Sequence, residues 1–407
     1  IQQTVGSLQT FIRNGKMLYP DSFQNNSFLR WISSQKDKQT ASYLLFASQC
    51  ETISMFQADI WNPVPIDTPF LISRIQLART NSEQNIPVDL KTRYLFQTIR
   101  LLFYQGEYTS CITSCEQFLK GQSLVHEALR RRVLSYRSGC FFRVGRYAEA
   151  CYGFSLLFDS AANVQKRIGD YNGFTWALSN TGLQEIISLC KNAHQQATVY
   201  ALNGLGHEQI YDLRTLRKVY ELDPRHELLE VLMARELSKA EGALIAYDAR
   251  VNEFYTWYCS QFPKQALVVN YTVFKKAYRQ FIERPDPYLA PAIWFLRMAK
   301  DAKVKQPALF YTAAAHLCFL NDQPTGCDSI LQFTRGMEMN ESLRNQIRIL
   351  KLCNQIHQTE KLEAETENNL LADFQWLDTI RKQKPFYQVV YRTIQRRLMY
   401  SQYLRQG

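Results

Sequence analysis

The sequence predicts an all-α fold, an α-solenoid of antiparallel helix hairpins, and three observations carry that expectation. Gly numbers 16 and Pro 13 in 407 residues, while Leu, Ala, Gln, Arg and Glu fill long stretches with apolar residues at helical spacing. These helix-length stretches are separated by short turns. One turn pattern recurs: Gly106 and Gly145 lie 39 residues apart, each between two apolar helical runs. A spacing of that size is the signature of a repeat array, in which each hairpin buries one face on its neighbour.

Residues 1–87 are the least regular and read as an N-terminal helical capping region. Helices are expected over Ser27–Ser34, Ala41–Asp59 and Thr68–Arg79, separated by the turn-rich LYPDSFQNN and WNPVPIDTP. In the second of these, Pro63, Pro65 and Pro69 cannot donate to a helical ladder. Residues 88–230 read helix, short turn, helix. KTRYLFQTIRLLFY (91–104) puts Leu95, Ile99, Leu102 and Phe103 on one face, Gln105-Gly106-Glu107 breaks it, and Tyr108–Leu119 forms the second helix. Arg131–Arg143, Val144-Gly145-Arg146 and Tyr147–Phe158 repeat that arrangement. LGHEQIYDLRTLRKVYELDPRH (205–226) ends as a repeat helix ends, stopped by Asp223-Pro224.

Residues 231–300 read as a long-helix connecting region, and 301–407 as further hairpins. ALFYTAAAHLCFLNDQPTGCDSILQFTRG (308–336) is expected to turn at Asn321–Pro324 and to stop at Gly336. The final YSQYLRQG ends as RLLFYQG and CFFRVG end. It is therefore expected to be the first helix of an incomplete repeat, in a chain cut from a longer protein.

The hairpins resemble the tetratricopeptide repeat (TPR). Leu134, Ser138, Phe141, Gly145, Tyr147, Ala150 and Phe154 match its pattern, as do Leu95, Leu102, Gly106 and Tyr108, with Cys111 at the usual alanine. Tyr311, Ala315, Cys318 and Leu331 fit in the late hairpin, where the Gly-x-Tyr turn is missing. Arg137 stands where the family carries an apolar residue, and Ile99 where it carries a small one. The resemblance implies a right-handed superhelix of helix pairs and no catalysis. It also implies a groove displaying Arg93, Phe96, Arg100, Phe103 and Tyr104 from one repeat, then Arg132, Ser135, Phe142 and Arg143 from the next. Of these, Arg93, Arg100, Tyr104, Arg132, Phe142 and Arg143 form the expected partner-binding set. Arginine with aromatics suits an acidic or carboxylate-terminated peptide.

The formal charge of +11 favours an acidic partner at long range. Because the basic residues are spread out, with only Arg130-Arg131-Arg132 and Arg396-Arg397 clustered, a nucleic-acid arm is not the expected reading. The 10 cysteines sit in apolar helical text without a Cys-x-x-Cys pair, so they read as small buried hydrophobes rather than disulfides or zinc ligands. No stretch approaches a membrane-spanning length. Phosphate-loop, dinucleotide, zincin and nucleophile-elbow motifs are all missing, and the 6 histidines are scattered singly. ARELSKAEGAL (234–244) reads as a solvated charged face, and TEKLEAETENN (359–369) as the acidic start of a helix.

These features lead to a non-enzymatic scaffold for protein–protein interaction or complex assembly, with no catalytic residue, cofactor or metal. The alternatives are the superhelical portion of a larger enzyme, such as a lytic-transglycosylase-like ring, and a nucleic-acid-binding helical repeat. The first residue is Ile1, so a natural start is expected to have been removed. Bacterial envelope and cytoplasm are both compatible with the composition.

Overall fold

The computed structural model describes residues 27–55, 67–120, 127–206, 213–240, 260–261, 289–301, 303–359 and 363–399. Their regular structure is all helical, with no strand among the described residues. The chain divides into two compact units, Ile1–Gln195 and Gln196–Gly407. The turn-rich LYPDSFQNN, residues 56–66 with most of the connector WNPVPIDTP, residues 207–212, most of the long-helix region 231–300, Cys259 and the terminal YSQYLRQG lie outside the described residues.

The first unit contains α1 (Ser27–Ser34), α2 (Lys38–Met55), α3 (Thr68–Glu83), α4 (Val88–Gln105), α5 (Tyr108–Lys120), α6 (Glu127–Arg143), α7 (Tyr147–Asp159), α8 (Val164–Leu178) and α9 (Leu183–Leu189). The expected helix over Ala41–Asp59 thus begins at Lys38, and that over Thr68–Arg79 runs on to Glu83. Two starts carry side-chain caps: Asp67 Oδ1 accepts from the Phe70 amide at 2.9 Å, and Asn163 Oδ1 from that of Lys166 at 2.9 Å. From α3 to α8 each helix packs on the next, and α2 also packs on α4 and α4 on α6. Between them lie Ile99, Leu101, Phe118, Val133, Leu157 and Phe174, all fully or almost fully buried. A buried side chain of this size contributes about 1.5–3 kcal/mol.

One turn joins successive helices at four places. Gly106 (φ 84°) and Gly145 (φ 78°) occupy the left-handed region, and so do Lys36 (φ 53°) and Asp322 (φ 56°). In each case the next residue's amide bonds to a carbonyl five residues back: Asp37 to Ile32 (3.1 Å), Glu107 to Leu102 (3.0 Å), Arg146 to Phe141 (2.8 Å) and Gln323 to Cys318 (2.9 Å). This is the Schellman closure, which satisfies carbonyls left over at a helix end. The following helix starts two residues after the left-handed position every time, at Lys38, Tyr108, Tyr147 and Pro324. The glycine missing from the late hairpin is therefore replaced by Asp322, a residue type that tolerates this conformation. Gly145→Ala should cost about 1 kcal/mol in chemical unfolding, and Lys36→Gly, at an exposed lysine, should gain about 1 kcal/mol. Equal signs for the two would contradict the turn assignment.

The second unit begins within α10 (Ala193–Gly206) and continues with α11 (Leu213–Leu222), α12 (227–240), α13 (Leu289–Lys300), α14 (Pro307–Leu320), α15 (Pro324–Gln332), α16 (Glu341–Gln358), α17 (Ala364–Gln383) and α18 (Phe386–Thr393), which runs into a π-helical turn, Ile394–Met399. Helix α11 stops before Asp223-Pro224 as expected, with Asp223 Oδ1 accepting from the Arg225 amide at 3.0 Å. Gly204 allows α10 to approach α11 and α12, since a Cβ there would lie 2.7 Å from Thr215 Cγ2 and 3.2 Å from Leu232 Cδ2. The late hairpin has its expected turn, but α15 ends at Gln332 and Gly336 closes the looser turn after it. Glu365 and Glu367 fall in the first turn of α17, favourable at the positive end of a helix dipole. The C-terminal core gathers Leu352, Ile356, Leu370, Leu377, Ile380, Tyr387 and Ile394.

The stretch 234–240 corrects an expectation. Glu236 and Lys239 form an ion pair at 2.6 Å with side chains 5% and 13% exposed, so this is a buried pair and not a solvated face. Spacing alone cannot separate the two cases, because i,i+3 opposite charges suit either.

Candidate functional site

Helix α4 carries Arg93, the adjacent Phe96 and Gln97, Arg100 and Tyr104, successive turns three or four residues apart, which is a single face of a 3.6-residue helix. Helix α6 does the same with Leu129, Arg132, Ser135 and Tyr136, and α2 adds Tyr43 and Glu51. These faces enclose an open cavity of about 610 Å³. Every described lining residue comes from α2, α4 or α6, so alternate helices supply these walls, while α3 packs on α4 and α5 on both α4 and α6.

The cavity is floored with rings. Phe96 lies 6.1 Å from the Tyr136 ring in a tilted arrangement, and Tyr136 is also met edge-on by Phe103 at 5.2 Å. Tyr43 meets Tyr94 edge-on at 5.1 Å. Such pairs fix ring orientation beyond what area burial does. Burial pushes the Tyr136 phenol up to about 12, helped by the neighbouring Tyr104 to which it hydrogen-bonds, and burial also raises that of Tyr43. Both hydroxyls therefore stay protonated at neutral pH, and that of Tyr136 is engaged with Tyr104.

Three guanidinium groups and one carboxylate line the same space. Arg93 Nε donates to Asp89 Oδ2 at 2.8 Å one turn earlier, and that hydrogen bond raises its pKa. Arg100 donates to Gln97 Oε1 at 3.4 Å and lies 5.9 Å from the Tyr104 ring centroid. Arg132 is exposed at the rim. Glu51 is the only acid among the described lining residues, and their balance is cationic.

Of the six residues expected to bind a partner, four are brought together here: Arg93, Arg100, Tyr104 and Arg132. Phe96 and Ser135 join them, whereas Phe103 packs among Tyr104, Tyr108 and Tyr136. Phe142 and Arg143 lie outside the lining, because α6 turns them toward its own C-terminal turn. Phe142 packs edge-on against Tyr147 at 5.6 Å, and Arg143 is exposed. Tyr43, Glu51, Gln97, Leu129 and Tyr136 were not expected. The α4 stripe itself signals Gln97, but Tyr43 and Glu51 come from the capping region and carry no local signal.

The nine described cysteines are free, seven of them buried. Cys50 and Cys151 are pushed up to about 12 by burial, and the Cys111 and Cys140 thiols are raised by the hydrogen bond each makes to a neighbouring thiol. A thiol held protonated is a poor nucleophile. His316 is half-buried, 6.5 Å from the Phe319 ring centroid. Among the described residues, no helix is long and apolar enough to cross a membrane. Comparison with family models, with curated proteins and with solved structures finds no match to this chain.

Proposed function

We propose that the chain is a non-enzymatic helical-repeat scaffold, built like a tetratricopeptide array, that recruits a protein partner by seating an acidic segment in the cavity of α2, α4 and α6. The observation that carries this reading is the lining: three arginines over an aromatic floor, contributed by alternate helices. Planar guanidinium groups pair bidentately with carboxylates, and rings on short side chains lose little entropy on binding. The repeat build is supported by the recurring Schellman turn and by the packing of each helix on the next, with α4 also on α6. Among the described residues, the lining holds no histidine, lysine or cysteine and a single carboxylate. It therefore supplies neither a nucleophile–base pair nor a pair of acid/base carboxylates.

Arg100→Glu with Arg132→Glu should lower affinity for a Glu-rich synthetic peptide by at least about tenfold, while helicity and melting stay unchanged. Arg143→Glu, outside the cavity, should leave binding intact. Calorimetric titration at low and physiological salt checks this, and undiminished binding by the double variant would place the partner elsewhere.

A further inference from the structure

Two guanidinium groups from different helices meet at one indole in the second unit. Arg217 of α11 lies over the ring of Trp294 on α13, its Cζ 4.0 Å from the ring centre, and Arg297, three residues further along α13, lies 5.0 Å from the same centre. A guanidinium stacked on an aromatic ring is held by its face, which leaves the five N–H donors in its plane free to bond elsewhere. Neither side chain uses them, for neither makes an ion pair or a hydrogen bond to any described residue. Asp301, four residues after Arg297, instead accepts from the Tyr220 hydroxyl at 2.6 Å. Arg217 Nε is buried with no partner. A buried donor left unsatisfied is costly, and two like charges held at one ring repel.

The next closest stacks in the chain are built differently. Arg146, Arg348 and Arg381 lie 4.3, 4.3 and 4.4 Å from their ring centres, and each is paired with an acid, Glu149, Asp373 and Asp378 respectively. Arg217 is stacked more closely than any of the three and has no such acid. Oxygen count sets which anion satisfies both heads. A carboxylate has two oxygens, enough for one bidentate fork. A phosphoryl group has at least three free oxygens and carries about −1.5 to −2 charge at pH 7, so it can serve two forks at once and balance both.

We infer that Arg217 and Arg297, stacked on Trp294, bind a doubly charged phosphoryl group, carried on a phosphorylated side chain or present as free inorganic phosphate. The site shares no residue with the cavity of α2, α4 and α6, and it does not depend on what that cavity binds.

The test is calorimetric titration of the full chain with three capped peptides of one Gly/Ser-rich sequence, whose central residue is phosphoserine, glutamate or serine. The phosphoserine peptide is expected to bind at least about tenfold more tightly than the glutamate peptide, and the serine peptide not at all. Its affinity should fall several-fold at about pH 5.5, where the phosphoryl group, with a second pKa of about 6, loses its second charge. Arg297→Gln, at an exposed position, should cost about tenfold, and so should Arg217→Lys, because lysine keeps the charge and loses the fork. Displacement of the peptide by inorganic phosphate assigns the site to the free anion, and resistance to it assigns the site to the phosphorylated side chain. In the Arg100→Glu, Arg132→Glu variant the preference for phosphoserine should persist. Equal affinity for phosphoserine and glutamate, a preference untouched by both Arg217→Lys and Arg297→Gln, or its loss in the cavity double variant, overturns the inference.

Discussion

Replacing Arg131 by methionine is expected to destabilise the protein by about 3–5 kcal/mol, measured by urea unfolding at pH 7. Arg131 extends from α6 across the end of α7 to α8, where its guanidinium bonds to the Asp170 carboxylate, the Leu157 carbonyl and, at 3.1 Å, the Ser160 hydroxyl. The two charged side chains are only 16% and 11% exposed. Burial raises the Asp170 pKa above its ordinary value even with Arg131 beside it, so the carboxylate depends on its partner. Methionine fills the space but leaves the buried acid without its hydrogen-bonded partner, with Lys166 the remaining cation acting on it. An acid whose folded pKa is raised favours folding below its unfolded pKa and disfavours it as pH rises through the folded value. The deficit of Arg131→Met should accordingly be full at pH 7 and shrink as the pH falls toward the ordinary carboxylate range. The double variant Arg131→Met, Asp170→Leu should recover most of the loss. A double variant as unstable as the single one would mean that packing, not charge, sets the cost.

The second large effect is expected at Lys239. Lys239→Met should cost about 2–3 kcal/mol, because Glu236, almost fully buried on the same helix, loses its charged partner at 2.6 Å. A surface pair at i,i+3 would lose only a few tenths. Thermal melting of the variant against Lys218→Met is the direct comparison, since Lys218 pairs with Glu221 at the same spacing but at 3.8 Å and with both side chains well exposed. Indistinguishable melting curves would show that burial at 236–239 has no energetic weight.

The helices were legible in the sequence wherever apolar periodicity met a clear stop. Tyr108 and Tyr147 begin helices where the glycine turns place them, and Leu222 ends one where Asp223-Pro224 requires it. The turn was legible only where glycine marks it. Lys36 and Asp322 adopt the same left-handed conformation without a compositional flag, since tertiary packing can hold an ordinary residue there at modest cost. Part of the cavity could be read because Arg93, Arg100 and Tyr104 share one helical face, and Arg132 lies on an equivalent face of α6. Phe142 and Arg143 could not be excluded from it, because the residues of a last turn follow the closing loop more than the helical stripe. Glu236 looked solvated because charge pattern carries no information about burial.

Helix α6 faces two ways. Arg131 anchors its back to Asp170, while Arg132, about 100° further round the helix, and Tyr136 one turn on face the cavity. Rolling α6 about its long axis to follow an incoming ligand would pull Arg131 away from its buried partner. In mechanical terms the cavity face of α6 is mounted on a locked axle, so under the proposed function the fit must be achieved by the incoming chain. Complex formation should then favour partners already stiff in the bound shape, and rigidity in the ligand should raise affinity more than added charge does.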